Sequence, residues 1–333
     1  MTVLVPDLDH LRRAYAESSK ATLVTPLLEA PTIAARTGAA RVFVKPESLQ
    51  WTGSFKARGA YWRLKTLTDA EAAKGVVAYS SGNFAQGLAA SGQRLGIPVT
   101  IVMPIDAPAA KRDATAGYGA RVVLTDHGSR AREEVAMERS RTISEEEGLT
   151  LLHPFDHPEV VAGQAGVGLE ALRQLSEVNA RTDLVFVPTG GGGLVSGVSL
   201  AFKYLSPETR IVVVEPERFD GMGASLAASA AQTVPLTTPP SICDGMMARR
   251  PGVATFAVMS TIGALPLTVT DEAVRSAMRV AFESLKLVFE PSAAASLAAL
   301  LGGSVDVSGK TVLVIATGGN VSSADFMKHI DRA

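Results

Sequence analysis

The chain has 333 residues, 47% hydrophobic and 20% charged, which is a globular composition with room for two domains or one large one. Its formal net charge of −1 gives no electrostatic attraction to nucleic acid or to an anionic membrane surface. No apolar run has the character of a signal peptide or a membrane span, and a single cysteine, Cys243, excludes an internal disulfide, so we expect a cytoplasmic protein.

The first predicted elements lead to a helix that carries a lysine. A helix from Leu11 and a connection marked by prolines precede a short strand at residues 41–45. Turn residues follow, and we expect Ser54 to be the N-cap of the next helix. Lys56 then lies in the first helical turn, and the spacing predicts an apolar helix face formed by Ala57, Ala60, Leu64 and Leu67.

The position of Lys56 favours a reactive amine. A cation in the first turn opposes the helix dipole, and burial adds a desolvation penalty, so both effects lower the pKa of the lysine. A neutral amine of this kind can form a Schiff base. The alternative is an ordinary lysine at the surface beside a helix.

Strand, loop and helix alternate along the rest of the chain. Runs that favour strands lie at residues 76–80, 99–104, 122–125, 184–188, 211–215 and 311–316. The alternation indicates an α/β fold with two domains, whose parallel-rich sheets are flanked by helices. We place a small mobile domain at residues 52–147 and form the large domain from residues 1–51 and 148–333.

Loops rich in glycine follow several of these strands, at the sheet edge where α/β proteins bind ligands. The longest contains Gly190, Gly191, Gly192 and Gly193 and precedes a helix that we expect from Leu194. Free backbone N–H groups at a helix N-terminus favour a bound phosphate. Close packing is one alternative. Another is a dinucleotide site with Glu215 as the ribose-binding acid, but Gly197 falls one place too late for that fingerprint.

Five motifs in chain order carry a resemblance to a known family. They are Ser54-Phe55-Lys56-x-Arg58-Gly59-Ala60, Ser80-Ser81-Gly82-Asn83-x-Ala85-Gln86-Gly87, His153-Pro154-Phe155-Asp156, the loop at residues 190–193, and Gly318-Gly319-Asn320. With these motifs the chain resembles the threonine dehydratase and serine racemase group of pyridoxal-phosphate enzymes, also called fold type II or the tryptophan synthase β family. The similarity spans nearly the whole chain.

The resemblance implies a role for each site residue. Lys56 holds pyridoxal 5'-phosphate covalently and acts as the base on the substrate Cα proton. The other expected cofactor contacts are Phe55, Asn83 at the 3-oxygen, Gly190, Gly191, Gly192, Gly193 and Leu194 at the phosphate, and Thr317 at the pyridine nitrogen. The expected substrate contacts are Ser80, Ser81, Gly82, Asn83 and Phe84. The implied reaction is the dehydration of an L-3-hydroxy amino acid to a 2-oxo acid and ammonia, carried out by a homodimer.

Two departures from the family pattern affect substrate and metal binding. Phe84 replaces the usual histidine, and stacking on an aromatic substituent makes L-threo-3-phenylserine the leading specialised substrate. The alternative is that Phe84 packs between the domains. The family's cation site is incomplete, because Gly221 stands where an aspartate is expected after Glu215 and the acid has moved to Asp220, so we expect no metal.

Two other functions stay open at this point. Racemases of this group use a serine at the position of Ser81 to return the proton, so serine racemase with side dehydratase activity is the alternative enzyme. The other is a binding protein that holds the cofactor without turnover, which the intact Lys56 and residues 80–83 argue against. In each case the partner is a small amino acid, with no nucleic acid and no membrane.

Overall fold

The structure is a computed structural model that describes residues 4–332. The strands within these residues are β1 (Leu28–Glu29), β2 (Arg41–Pro46), β3 (Val76–Tyr79), β4 (Val99–Pro104), β5 (Arg121–Thr125), β6 (Thr150–Leu152), β7 (Leu184–Pro188), β8 (Arg210–Pro216), β9 (Leu265–Val269) and β10 (Thr311–Ala316). The predicted limits of β4, β7 and β10 coincide with the observed ones, because each is a continuous apolar run bounded by turn residues.

Helices flank these strands throughout. They are α1 (Leu8–Ser18), α2 (Pro31–Thr37), α3 (Lys56–Lys65), α4 (Asp69–Lys74), α5 (Asn83–Leu95), α6 (Ala109–Gly117), α7 (Arg132–Glu147), α8 (Pro158–Gln164), α9 (Gly166–Glu177), α10 (Gly193–Leu205), α11 (Gly221–Ala228), α12 (Val253–Met259), α13 (Asp271–Val280), α14 (Pro291–Leu301) and α15 (Ser323–Ile330). None of the helices within residues 4–332 combines the length and apolar character needed to cross a bilayer.

The larger sheet has six strands in the order β1, β2, β10, β7, β8, β9. Only β1 runs antiparallel to its neighbour, and the other pairs are parallel. Helices cover both faces, so the inner strands β7 and β10 are buried nearly throughout. The carboxyl ends of β7 and β10 therefore lie at one edge, with the loops that follow them close together.

The smaller sheet has four parallel strands in the order β5, β4, β3, β6. The sequence placed the end of the small domain at residue 147, which leaves β6 in the large domain. That boundary is wrong, because Val76, Val77 and Ala78 of β3 pair with Thr150, Leu151 and Leu152 of β6. The strand was missed because it is only three residues long and shows no clear alternation of apolar and polar residues.

Helix α3 lies between the two sheets. Its residues Ala60 and Leu64 belong to the hydrophobic cluster of the small sheet, while Trp62 packs against a cluster to which α1, α8, α10 and α12 contribute. Gly59 and Gly163 allow the close approach of α3 and α8, since a Cβ on Gly163 would lie 2.7 Å from the Cα of Gly59. The helix that begins with Lys56 is thus held from both sides.

Four charged side chains with no exposed surface fix the same helix. The Arg58 guanidinium donates to both carboxylate oxygens of Glu47 at 2.7 and 2.8 Å and to both of Glu170 at 2.8 and 2.9 Å. Lys45 also donates to Glu170 at 2.8 Å. This buried charge cluster of two cations and two anions ties α3 to the segment after β2 and to α9.

Candidate active site

Lys56 is the first residue of α3, as the sequence predicts, but Ser54 is not its N-cap. Phe55 occupies the cap position with helical dihedral angles (φ −55°, ψ −21°). Ser54 is extended (φ −162°) and forms an isolated β-bridge with Gly318, while Phe55 N–H donates to the carbonyl of Thr317. The N-cap prediction is wrong because this long-range bridge, and not the local sequence, sets the backbone of Ser54.

The amine of Lys56 lies in a partly apolar cleft. Its Nζ donates to the Pro154 carbonyl at 3.2 Å and lies 5.2 Å from the ring centre of Phe55 and 5.7 Å from that of Phe84. Burial lowers the pKa of Lys56 to about 8, against a smaller opposing effect of the Glu290 carboxylate. The interpretation as an ordinary surface lysine is therefore wrong, and a neutral amine is accessible near neutral pH.

The loop at residues 80–82 connects β3 to α5 and faces open space. The Ser80 hydroxyl accepts the Gly82 N–H at 3.3 Å, and a Cβ on Gly82 would meet no atom within 4 Å. Ser81 lies in this loop and is partly exposed. Asn83 follows as the first residue of α5, so the loop presents polar groups at a helix N-terminus.

Asn83 is bonded to two side chains that are distant in sequence. Its Nδ2 donates to Oε1 of Glu290 at 2.7 Å, and its Oδ1 accepts from Nδ2 of Asn320 at 2.8 Å. Burial, together with a smaller effect of the nearby Asp244, raises the pKa of Glu290 to about 8. Sequence reasoning missed Glu290, because nothing local distinguishes it from a surface glutamate preceding the helix that starts at Pro291.

Phe84 lies beside Lys56 but turns its ring into the small domain. Only 2% of its surface is exposed, and it packs in the apolar cluster that contains Leu64, Leu88 and Leu152. The ring therefore packs within the small domain, and not between the domains as the alternative has it. An aromatic substituent of a substrate would find no open face of this ring.

The loop of four glycines is shaped by neighbours that leave no room for side chains. A Cβ would lie 3.0 Å from Met246 Cα at Gly190, 2.2 Å from the Phe155 ring at Gly191, 2.6 Å from Met222 Cε at Gly192 and 3.0 Å from Phe155 Cβ at Gly193. Gly192 also has φ +98°, a value that favours glycine. Close packing thus explains part of the glycine pattern.

The backbone N–H groups of the same loop are free for a ligand. Within residues 4–332 those of Gly190, Gly191 and Gly192 have no acceptor, and Gly193 and Leu194 open α10, where N–H groups lack acceptors inside the helix. The loop is held in place through its carbonyl groups, since Gly191 O accepts from Gly252 N–H at 3.1 Å and from the Thr255 hydroxyl at 2.7 Å. The arrangement is that of an anion site.

The motif at residues 153–156 connects the lysine to the glycine loop. Besides the Pro154 carbonyl and the Phe155 ring, Asp156 accepts the N–H groups of Val253 and Ala254 at 2.8 and 2.7 Å and so caps α12. His153 Nδ1 accepts Asp156 N–H at 2.9 Å. Burial lowers the pKa of His153 to about 4, so its ring is neutral at physiological pH.

Thr317 follows β10 and is only 5% exposed. Its hydroxyl is buried and, among the residues that the structure describes, has no hydrogen-bond partner, and the same holds for Ser54 Oγ beside it. A buried hydroxyl without a partner costs free energy, so a group from outside the chain is expected to bond to it.

Glu215 is buried near the end of β8 and binds backbone N–H groups of α11. Its two carboxylate oxygens accept the N–H groups of Met222 and Gly223, each at 2.8 Å, and its exposure is 1%. Burial raises the pKa of Glu215 to about 8 in spite of these two bonds. Residues 4–332 contain no group of three or more His, Cys, Asp or Glu side chains arranged to hold a metal ion.

These residues fit pyridoxal 5'-phosphate on observations of this structure. Lys56 supplies a neutral amine, the glycine loop supplies unpaired N–H groups for a phosphate, and Thr317 supplies a buried hydroxyl that lacks a partner. Of the predicted residues, Phe84 is taken up by the apolar cluster of the small domain.

Comparisons with known proteins agree with this fit. Residues 19–318 match the model of the family described as pyridoxal-phosphate dependent enzyme. The chain is 42% identical over 297 residues to an L-threo-3-hydroxyaspartate ammonia-lyase of Pseudomonas sp, covering 89% of this chain and 90% of that one. It is 37% identical over 319 residues to a serine racemase of Schizosaccharomyces pombe, covering 96% and 95%. The structure matches the crystal structure of a threonine deaminase from T.th. with a TM-score of 0.87 and 38% identity, covering 95% of this chain and 99% of that one.

Proposed function

Because the chain belongs to the pyridoxal-phosphate dependent enzyme family, we propose that it is a dehydratase that converts an L-3-hydroxy amino acid to a 2-oxo acid and ammonia. Relatives named as ammonia-lyases that cover most of the chain support this reaction. The observation that carries it is the Lys56 amine, with a pKa of about 8, held in the cleft beside Asn83 and the glycine loop.

Each part of the site has a separate task. The N–H groups of residues 190–194 would hold the cofactor phosphate, Asn83 would donate to the 3-oxygen, and Thr317 would face the pyridine nitrogen. Bound pyridoxal phosphate supplies an aldehyde for amines and a ring that accepts negative charge from the substrate Cα. The aromatic ring of Phe55 lies beside the amine and limits the access of water.

Lys56 performs the proton transfer. Its neutral amine takes the proton from the substrate Cα, and a pKa near 8 suits a base that works at physiological pH. The loop at residues 80–83 binds the substrate carboxylate through N–H groups and hydroxyls at the N-terminus of α5, where the helix dipole favours an anion. Loss of the 3-hydroxyl with a proton releases water and leaves an enamine, which hydrolyses to the 2-oxo acid and ammonia.

The substrate that the site favours has a small or polar group on its 3-carbon. Relatives named for L-threo-3-hydroxyaspartate and for L-threonine support this range. The preference for L-threo-3-phenylserine stays a prediction, and it requires Phe84 to leave the apolar cluster in which its ring is 2% exposed.

A substrate panel tests the function. The purified enzyme with its cofactor is incubated with L-threonine, L-serine, L-threo-3-hydroxyaspartate and L-threo-3-phenylserine, and 2-oxo acid and ammonia are measured. We expect equal amounts of both products and at least one good substrate. A kcat/KM for phenylserine above that for threonine would support the phenylserine prediction, and an equal or lower value would contradict it. No product from any of the four, or undiminished product from Lys56→Ala, contradicts the proposal.

Serine racemase is the second candidate function. The partly exposed position of Ser81 in the loop between β3 and α5 supports it, together with the similarity to a serine racemase over 96% of the chain. A Ser81→Ala variant separates the two activities, because it removes the hydroxyl that would return the proton and leaves Lys56 intact. In deuterated water, D-serine formed from L-serine without 2-oxo acid would put racemisation first.

We also place the enzyme in a reducing cytoplasm and expect a homodimer. Cys243 is fully buried and burial raises its thiol pKa to about 12, which supports an unreactive, reduced cysteine. Analytical ultracentrifugation at micromolar concentration tests the dimer.

A further inference from the structure

Four groups beside the Lys56 cleft form a linear hydrogen-bond network. It begins at the Thr52 carbonyl, which accepts Nδ2 of Asn320 at 2.8 Å. The same Nδ2 donates to Oδ1 of Asn83 at 2.8 Å, and Nδ2 of Asn83 donates to Oε1 of Glu290 at 2.7 Å. Asn320 and Glu290 are the two side chains of this network for which the reaction gives no role.

The two ends of this network fix the orientation of each amide. The Thr52 carbonyl can only accept, so it must face the nitrogen of Asn320, whose second hydrogen then meets the oxygen of Asn83. With its oxygen occupied in this way, Asn83 turns its nitrogen to a carboxyl oxygen of Glu290. The second Nδ2 hydrogen of Asn83 has no acceptor among residues 4–332 and is free for a ligand.

The hydrogen-bond network also connects the part of the molecule built on the small sheet to the part built on the large sheet. Asn83 opens α5 beside the small sheet. Glu290 is the N-cap of α14, and Asn320 follows β10 of the large sheet. The orientation of the Asn83 amide is therefore fixed only when the parts built on the small and the large sheet are in contact.

Glu290 is well placed as an acceptor at this point. It is 4% exposed, and the charged groups that act on it are Asp244, Lys111 and Lys56. Lys111 of α6 forms an ion pair with Asp244 at the same side of the cleft. A Cβ on Gly318 would lie 2.5 Å from Oε1 of Glu290, so the glycine at that position makes room for the carboxylate.

We propose that Glu290 and Asn320 are positioning residues that hold the Asn83 amide with its nitrogen directed at the 3-oxygen of the cofactor. The inference rests on the proposed contact between Asn83 and the cofactor. An N–H donor stabilises negative charge on that oxygen. Without the two supports the Asn83 amide is free to rotate, so the donor is lost for part of the time and the oxygen becomes more basic.

The test measures the bound cofactor and not only turnover. Holoenzymes of the variants Glu290→Ala and Asn320→Ala are titrated from about pH 6 to about pH 10, and the visible absorbance of the bound cofactor is recorded at each pH. Cofactor affinity is measured by adding pyridoxal phosphate to the apoenzyme. We expect the absorbance midpoint to move to higher pH and the affinity to fall about tenfold, the effect of one lost hydrogen bond. Glu290→Gln keeps an acceptor oxygen and is expected to recover most of the affinity.

Two comparisons separate positioning from a loss of stability. Glu215→Gln removes another buried carboxylate whose pKa is near 8 and which does not contact Asn83, so its absorbance midpoint is expected to match the wild type. In an Asn83→Ala background, Glu290→Ala is expected to add no further shift, because both changes act through one amide.

The outcomes distinguish the positioning role of Glu290 and Asn320 from the cofactor contact of Asn83. If Asn83→Ala shifts the midpoint and Glu290→Ala leaves it unchanged, the positioning role is wrong and the cofactor contact stands. If Glu290→Ala shifts it equally with and without Asn83, the carboxylate acts directly and the inference is also overturned. If Asn83→Ala changes neither midpoint nor affinity, the proposed cofactor contact fails, and the inference fails with it.

Discussion

Lys56 shows how the surroundings of a single side chain create reactivity. A lysine amine has an ordinary pKa near 10.5, and burial in the cleft lowers the pKa of Lys56 to about 8. Because the folded pKa is below the unfolded one, protonating this amine costs stability. The cost is fully present below pH 8 and disappears as the pH rises toward 10.5.

The first prediction concerns this pKa. In the apoenzyme, reaction of Lys56 with acetic anhydride is expected to rise with pH to a midpoint near 8, because only the neutral amine reacts. The measurement is peptide mapping after trace labelling at a series of pH values. The exposed Lys65 at the end of the same helix serves as the reference for reagent loss. A midpoint near 10.5 would show that the cleft does not perturb the amine.

The second prediction concerns the hydroxyl of Thr317. Thr317→Val keeps the shape of the side chain and removes a buried hydroxyl that has no partner among residues 4–332, so the apoenzyme is expected to be as stable or more stable. The same change is expected to lower kcat/KM about tenfold if the hydroxyl bonds to the cofactor. Ser199→Ala is the matched control, because Ser199 Oγ is also buried without a partner but lies in α10. Equal activity of both variants would contradict a role for Thr317.

At the scale of elements, the glycine loop is defined by what surrounds it. Its Cβ positions are filled by Phe155, Met222 and Met246, while its N–H groups stay open. Packing and phosphate binding, which are alternatives when only the sequence is considered, act together here. The close neighbours fix the loop so that the N–H groups need no rearrangement when a phosphate binds.

The third prediction tests that loop. Gly191→Ala places a methyl group 2.2 Å from the Phe155 ring, so either the ring or the loop must move. We expect a loss of about 1–3 kcal/mol in the free energy of unfolding and weaker binding of pyridoxal phosphate. Gly117→Ala at the end of α6, where a Cβ meets no atom within 4 Å, is the control and is expected to change neither. Both are measured by denaturant unfolding and by cofactor titration.

The fourth prediction concerns the buried charge cluster of Lys45, Glu47, Arg58 and Glu170. Arg58→Met leaves two buried carboxylates without their main partner, and we expect it to lower the free energy of unfolding by about 3–5 kcal/mol. Arg58 lies two residues after Lys56 in the same helix, so a shift of this helix would also displace the amine. We therefore expect kcat/KM to fall as well. Arg173→Met, which breaks the exposed pair with Glu177, is expected to change stability little. Similar unfolding curves for the two variants would show that the cluster does not anchor α3.

At the scale of the whole molecule, contacts across the cleft join the parts of the chain built on the two sheets. Besides the bonds of Asn83, Lys111 of α6 pairs with Asp244, and Glu134 of α7 pairs with Arg249 at 2.9 Å. Both pairs are partly exposed, so each is worth little alone and is weakened by salt. We expect them to favour a closed cleft during the reaction.

The fifth prediction follows from these pairs. Glu134→Gln removes the charge that faces Arg249, which keeps its bond to the Val234 carbonyl, so the fold should be retained. We expect KM to rise by a factor of about two to five with little change in kcat, as one exposed ion pair allows. Salt should raise the KM of the wild type more than that of the variant. A KM that is independent of this charge and of salt would argue against a closing role.

The sequence by itself determined the fold class and located the segments that form the candidate site. Apolar runs that end in glycine or polar loops are local signals, and they located β4, β7 and β10 as well as the loops at residues 80–84 and 190–193. Lys56 was identified because a helix start and a glycine turn can be read from a few adjacent residues. These features depend on short-range geometry, which the local sequence encodes.

Only the tertiary structure decided which side chains meet. Asn83 and Glu290 are 207 residues apart, and no periodicity connects them. The same is true of the bridge that displaces Ser54 from the cap position, of the cluster that takes up the ring of Phe84, and of the pairing that brings β6 into the small sheet. Each depends on how separate segments pack, so the sequence supplied the groups of this site and long-range packing decided their partners.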